Sequence, residues 1–175
     1  MTAATSRDPA PVFRSMPKLK TWLGESTPQR SIVLANGCFD PLHVGHIRYL
    51  YGAKEHADLL VVALNNDAST RALKGDGRPV VKASDRAKLL AGLKMVDAVL
   101  LFSARNVSGI LKSLRPDYHA KGTDYTVETV PELETSKALG IKTVIVGDPK
   151  SHASSEVLTR VRNGGADADG EVTPG

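Results

Sequence analysis

Residues 31–46 read SIVLANGCFDPLHVGH, and the reading of this stretch decides the fold. The apolar run Ser31 to Ala35 has the length and branching of a strand buried on both faces. Asn36 and Gly37 suit a sharp backbone turn after it. Asp40 suits a helix N-cap, and Pro41 suits the first helical position because it lacks the N–H that would be orphaned there. His43 and His46 then fall three apart in the first helical turns, on one face. Gly45 between them lets a bulky group approach the helix closely. A helix N-terminus presents unpaired N–H groups and the positive end of the macrodipole, so the segment is an anion site before any side chain is counted. Two imidazoles there add hydrogen-bond donors for phosphate oxygens.

The same alternation of strand and helix continues outward. Further short β-branched runs lie at Leu59 to Leu64, Ala98 to Phe102, Tyr118 to Ala120 and Thr143 to Val146. Helical spacing of apolar residues occupies Pro41 to His56, Ser84 to Met95, Val107 to Leu114, Pro131 to Leu139 and Ser154 to Arg162. This repeating order predicts a single α/β domain, Rossmann-like, with a doubly wound five-stranded parallel sheet and right-handed crossovers. Its bounds are 14–162, with Gly/Ala/Asp/Pro-rich segments 1–13 and 163–175 expected as disordered tails. Val12 to Leu23 is expected to form an amphipathic helix that packs Phe13, Leu19, Trp22 and Leu23 on the sheet edge or on a second subunit, the latter giving a homodimer.

Composition narrows the function. The chain of 175 residues carries 23 Lys and Arg against 19 Asp and Glu, a net charge of +4. Its basic residues are scattered near loops rather than gathered in a stripe, and no aromatic platform accompanies them, so neither nucleic acid nor membrane is expected as a partner. A small anionic ligand fits better. The single cysteine, Cys38, excludes an intrachain disulfide framework, and no apolar run approaches the roughly 20 residues of a membrane span. The first thirty residues lack an apolar signal-peptide core. A cytoplasmic protein is expected.

Three readings of the histidine pair compete: structural residues, metal ligands with Asp40, or a phosphate grip. Two histidines in a turn at a strand's end are poor core candidates. HxxH lacks the usual i, i+4 ligand spacing, and His56, His119 and His152 bring no ligand-spaced companions, so no protein metal site is expected. Phosphate is preferred. GxxxxGK[ST] and GxGxxG are both absent, which removes the P-loop and ordinary dinucleotide readings.

GCFDPLHVGH resembles the HxGH signature of the nucleotidyltransferase superfamily, whose members join a nucleoside triphosphate to a phosphorylated acceptor and release pyrophosphate. Ala53 to Val80 (with HADLLVVALNNDASTRALKGDGRPV), DRAKLLAGLKMVD (Asp85 to Asp97) and LRPDYHAKGTDY (Leu114 to Tyr125) are similar to the adenylyltransferase domain that makes ADP-heptose from D-glycero-β-D-manno-heptose 1-phosphate. The resemblance runs in register from about Ser31 to Arg160. That domain is often fused to a sugar kinase; here the phosphorylated sugar is expected from a separate protein. One departure is local: the family's S-T-T at the last helix reads Ala153-Ser154-Ser155 in this chain.

The resemblance implies roles. His43 and His46 grip α- and β-phosphate oxygens, with Lys74 in the glycine-bearing loop LKGDGRP and Arg86 near its helix start completing the catalytic set. Gly37, Cys38, Phe39, Asp40 and Gly45 surround the nucleotide, as do Lys121, Gly122, Asp124, Ser154 and Ser155. Asn65 and Asp67 face the acceptor or the metal. The expected ligands are ATP and a phosphorylated sugar, with Mg2+ arriving on the triphosphate. Two other functions fit the same motifs: a cytidylyltransferase acting on a small alcohol phosphate such as glycerol 3-phosphate, and a non-catalytic nucleotide-binding module.

Overall fold

The computed structural model describes residues 8–26, 29–147, 158, 159 and 161. The elements follow in the order β1 (Val12–Phe13), α1 (Met16–Ser26), β2 (Ile32–Gly37), α2 (Val44–Lys54), β3 (Leu59–Asn65), α3 (Asp67–Lys74) and α4 (Ala83–Ala91). After them come β4 (Ala98–Phe102), α5 (Ser108–Leu114), β5 (Tyr118–Gly122), a 3-10 turn (Val127–Thr129), α6 (Leu133–Leu139) and β6 (Lys142–Val146). All strands pair in parallel, in the order β1-β4-β3-β2-β5-β6.

Among the described residues the sheet has six strands, one more than the apolar runs predict. The extra strand is Val12–Phe13, which pairs with Val99 and Leu100 at the edge. Two residues are too short to show periodicity, and the strand exists because β4 offers an open edge. It corrects the expected tail at its end and the helix expected from Val12. Helix α1 begins at Met16, and its Leu19 and Leu23 are buried with Phe13, Met16 and Trp22 against one face of the sheet. That apolar face is therefore covered within the chain, which removes the ground on which a homodimer was expected. Helix α3 was also unread, although its cap was legible: Asn66 Oδ1 accepts from Ser69 N at 2.9 Å. Residues 1–7 and 162–175, and most of the helix expected over 154–162, lie outside the described residues.

Side-chain alternation along each strand divides the core in two. Val33, Ala35, Leu60, Val62, Val99 and Ala120 meet α2 and α4 on one face. Leu34, Val61, Ala63, Ala98 and Leu100 meet α1 and α5 on the other. Strand β3 is buried along its whole length, as a central parallel strand must be.

The strand order reverses between β2 and β5. Their ladder holds only the pairs Val33↔Tyr118 and Leu34↔His119, whereas β2 and β3 stay in register from Ile32↔Leu59 to Gly37↔Leu64. Beyond Leu34 the two strands diverge, and side chains bridge the gap. The Tyr49 hydroxyl donates to Ala120 O at 2.9 Å and accepts from Asn36 N at 3.3 Å. On the opposite face His119 Nε2 lies 3.1 Å from Asn36 Oδ1. A parting of this kind at the carboxyl ends of the strands is where open α/β sheets bind ligands.

Candidate active site

A cleft of about 760 Å³ opens at that parting. Its floor is β2 and the loop that follows, and its central wall is the start of α2. One flank carries Lys121 to Tyr125 with Val146 and Gly147; the other carries Asn65, Lys74, Arg78, Arg105 and Asn106.

The strand-to-helix loop departs from its expected geometry. Asn36 and Gly37 continue the strand, and the chain turns at Phe39, whose φ is 49°. A bulky residue in the left-handed region is held there by its surroundings: the Phe39 ring is buried, 5.1 Å between centroids from the His46 ring. Asp40 is not the N-cap and Pro41 is not helical. The helix begins at Val44 with His43 as N-cap. Asp40 is instead 1% exposed, accepting from Val80 N, from Val81 N and from Arg78 Nε at 2.7 Å. Burial alone would raise its pKa, but the Val81 and Val80 N–H groups and the Arg78 guanidinium outweigh that and hold the carboxyl below its ordinary value.

The two histidines stack, with ring centroids 3.8 Å apart and planes inclined by 27°. His43 N donates to His46 Nδ1 at 3.3 Å, so a neutral His46 carries its proton on Nε2. Neutrality is enforced. Burial first, then the positive charges of His43 and Lys74, push the His46 pKa down to about 3. The site thus presents a neutral N–H donor at a helix N-terminus, with Lys74 at the end of α3 supplying positive charge across the cleft.

Arg86 is placed differently from expectation. It is 1% exposed and is not part of the cleft wall. Its guanidinium donates to Val81 O, Cys38 O, Asn65 O and Asp67 Oδ1. It ties the ends of β2 and β3 to α4 from behind the cleft. Asp67 likewise leaves the cleft: its carboxylate accepts from Ala83 N and Arg86, beside a separate groove. Asn65 lines the cleft, but its amide donates to Ser69 Oγ and Ala104 O. Lys121 is buried and paired with Glu132 Oε2 at 3.0 Å. Burial would raise the Glu132 pKa, and the Lys121 charge and hydrogen bond with the Val107 N–H bring it below normal.

Residues 34–159 match the protein-family model described as cytidylyltransferase-like. The chain belongs to the cytidylyltransferase-like family. Relatives named bifunctional protein HldE are similar to it: that of Methylobacillus flagellatus is 42% identical over 130 residues, covering 74% of this chain and 27% of the relative. That of Campylobacter fetus subsp. fetus is 50% identical over 101 residues, covering 58% of this chain and 22% of the relative. The chain thus spans about a quarter of the length of these curated relatives. Among solved structures, the lipopolysaccharide core biosynthesis protein of Thermoplasma volcanium superposes with a TM-score of 0.59 at 28% identity, over 69% of this chain and 99% of that one. Pantoate-β-alanine ligase of Francisella tularensis gives a TM-score of 0.63 at 14% identity, over 91% of this chain and 74% of that one, a likeness of fold.

In this cytidylyltransferase-like protein, the fold brings Gly37, Cys38, Phe39, Asp40, His43, Gly45, His46, Lys74, Lys121, Gly122, Asp124 and Asn65 to one cleft, while Arg86 and Asp67 stand behind it. Ser154 and Ser155 lie outside the described residues. Arg78, in the loop LKGDGRP, lines the cleft as well, and so do Tyr49, Arg105 and Glu132, which were not read as site residues. Tyr49 carried a signal, standing one helical turn after His46 on the same face. Glu132 carried none, because its contact with Lys121 is made only when the chain returns from the 3-10 turn to the start of α6.

Proposed function

We propose that the protein is an adenylyltransferase that joins ATP to a sugar 1-phosphate, a heptose 1-phosphate by preference, giving an ADP-sugar and pyrophosphate. The observation that carries this reading is the stacked His43–His46 pair at the α2 N-terminus, with His46 kept neutral and Lys74 on the opposite wall of the cleft. The resemblance to ADP-heptose synthase domains and the HldE relatives support the sugar. The superfamily membership supports the reaction class.

Attack by an acceptor phosphate on the α-phosphorus brings two anions together and leaves charge on the departing pyrophosphate. Positioning and electrostatic stabilisation supply the catalysis, with no covalent intermediate. His46 Nε2–H donates to a phosphate oxygen as charge grows on it. The N–H groups of α2 add the positive end of the helix dipole, and Lys74 neutralises the triphosphate from the opposite wall. Lys121, held by Glu132, supports the loop Gly122 to Tyr125 beneath the nucleoside.

Two of the cleft's carboxylates are already committed to protein partners, which fits a magnesium ion carried by the nucleotide rather than one caged by protein. Asp40 is committed to Arg78 and two backbone N–H groups, and Glu132 to Lys121. Magnesium would arrive with the nucleotide and would offset negative charge on its phosphates.

A pyrophosphate-release assay with ATP, CTP, GTP and UTP against heptose 1-phosphate, other sugar 1-phosphates and glycerol 3-phosphate tests the reading. Release restricted to ATP with a sugar 1-phosphate supports it. Release with CTP and glycerol 3-phosphate replaces it by the alcohol-phosphate cytidylyltransferase, and ATP binding without release from any pair replaces it by a binding module.

A further inference from the structure

The cations of the cleft are not equally available. Arg78 is neutralised by Asp40 and Lys121 by Glu132, Arg48 lines the wall on α2, and Arg86, behind the cleft, is buried on four protein acceptors. Lys74 faces the histidines. On the β3–β4 flank, Arg105 is exposed to the cleft and makes no ion pair or hydrogen bond among the described residues.

We propose that Arg105 is a specificity-determining residue that receives the phosphate of the acceptor. This rests on the transfer reaction proposed above.

Charge divides the cleft into two halves. On the β5–β6 flank the Lys121–Glu132 pair is electroneutral and lies beside the Tyr125 ring, with Lys121 Nζ 5.3 Å from its centroid. That half suits an uncharged, flat nucleobase. The α2 N-terminus, the histidines and Lys74 occupy the middle, where a triphosphate needs them. The remaining half contains Arg105 without a counter-ion. The reaction brings a second anion, the acceptor phosphate, and a guanidinium fork matches its oxygens.

The loop that carries Arg105 is fastened on either side of it. Asn65 Nδ2 donates to Ala104 O at 3.2 Å, and Val107 N donates to Glu132 Oε1 at 3.4 Å. Glu132 thereby connects the Lys121 flank to the Arg105 loop, fixing where the acceptor's phosphate sits relative to the nucleoside. With the loop already fastened, ligand binding has to order the Arg105 side chain but not its backbone.

The test compares wild type with Arg105→Ala and Arg105→Lys. In steady-state kinetics with ATP and an accepted sugar 1-phosphate, Arg105→Ala should raise KM for the phosphorylated acceptor roughly tenfold to a hundredfold, while KM for ATP stays within about twofold of wild type. Arg105→Lys should recover part of the loss, because charge returns without the fork. Unchanged acceptor KM in Arg105→Ala overturns the proposal. A second measurement stands apart from turnover: calorimetric titration of inorganic phosphate into protein saturated with magnesium and an ATP analogue bridged by methylene between its α- and β-phosphorus atoms. Wild type should bind phosphate and Arg105→Ala should not. Equal binding by both, or none by wild type, overturns the assignment even if no acceptor has supported turnover. Absence of turnover with phosphate binding intact at Arg105 would instead count against the transfer reaction.

Discussion

Arg78 reaches back 38 residues to Asp40, its Nε donating to Oδ2 at 2.7 Å while its other nitrogen meets Asp40 O. The pair locks the segment after the glycine loop onto the loop that carries the histidines. With Arg78 held by Asp40, the least restrained stretch of the loop is Gly75–Asp76–Gly77, where both glycines have positive φ.

Arg78→Ala should therefore act on stability. It leaves Asp40, 1% exposed, as a buried carboxylate satisfied only by two backbone N–H groups. The expected cost is about 3 kcal/mol, or a fall in Tm of roughly 6–12 °C. Thermal unfolding measures it, and an unchanged Tm would show that the pair contributes nothing.

Lys74 ends α3 just before those glycines. Lys74→Ala should weaken triphosphate binding and turnover together, because it removes both a charge contact and the attraction that closes the loop. In wild type, trypsin should cut after Lys74 quickly in the unliganded protein and slowly with Mg-ATP, as the anion draws the loop closed. The Arg78–Pro79 bond resists trypsin in either state. Equal cutting with and without Mg-ATP would remove closure from the account.

His46→Ala should lower kcat roughly 10²- to 10³-fold with a smaller effect on ATP binding, as for loss of one donor to developing charge. In the unliganded protein the His46 ring should not titrate between pH 5 and 8, since its pKa lies at about 3. NMR of the imidazole C–H signals reads this directly; a midpoint near 6.5 would contradict a neutral donor.

His119 is fully buried, and burial first, then the charge of Lys121, lower its pKa to about 4, with Glu132 opposing. Below its ordinary pKa of 6.5 the unfolded chain binds a proton that the folded chain refuses. Stability should accordingly fall as pH drops from about 6.5 to about 4, by about 1.4 kcal/mol per pH unit from this group, with His46 acting in the same direction. Thermal melts from pH 7.5 to 4.5 should show the slope, and His119→Gln should reduce it. A flat profile would mean that neither ring is held neutral.

Chelation of transition metals should leave activity intact, whereas removal of magnesium should abolish it. Among the described residues no three His, Cys, Asp or Glu side chains gather to hold a metal. Zinc that copurifies in stoichiometric amount and leaves together with activity would reverse the phosphate reading of the histidine pair.

The alternation of apolar strands with amphipathic helices was legible because burial on both faces of a parallel strand leaves a continuous apolar run, and Ile32–Gly37, Leu59–Asn65 and Ala98–Phe102 lie where those runs predict. NGCFDPLHVGH likewise marked the cleft, since a helix start after a first strand is a local property of the chain. What the sequence by itself determined was the fold class, the family and the position of the histidine pair. The tertiary structure alone decided which charges remain for a ligand. Asp40 became the partner of Arg78 rather than a cap, Arg86 became a buried tie between strands, and Glu132 took Lys121, while Arg105 makes no ion pair among the described residues. Each of these pairings spans from 11 to 48 residues of chain, and an ion pair depends on distance in space, which no local pattern of residues encodes.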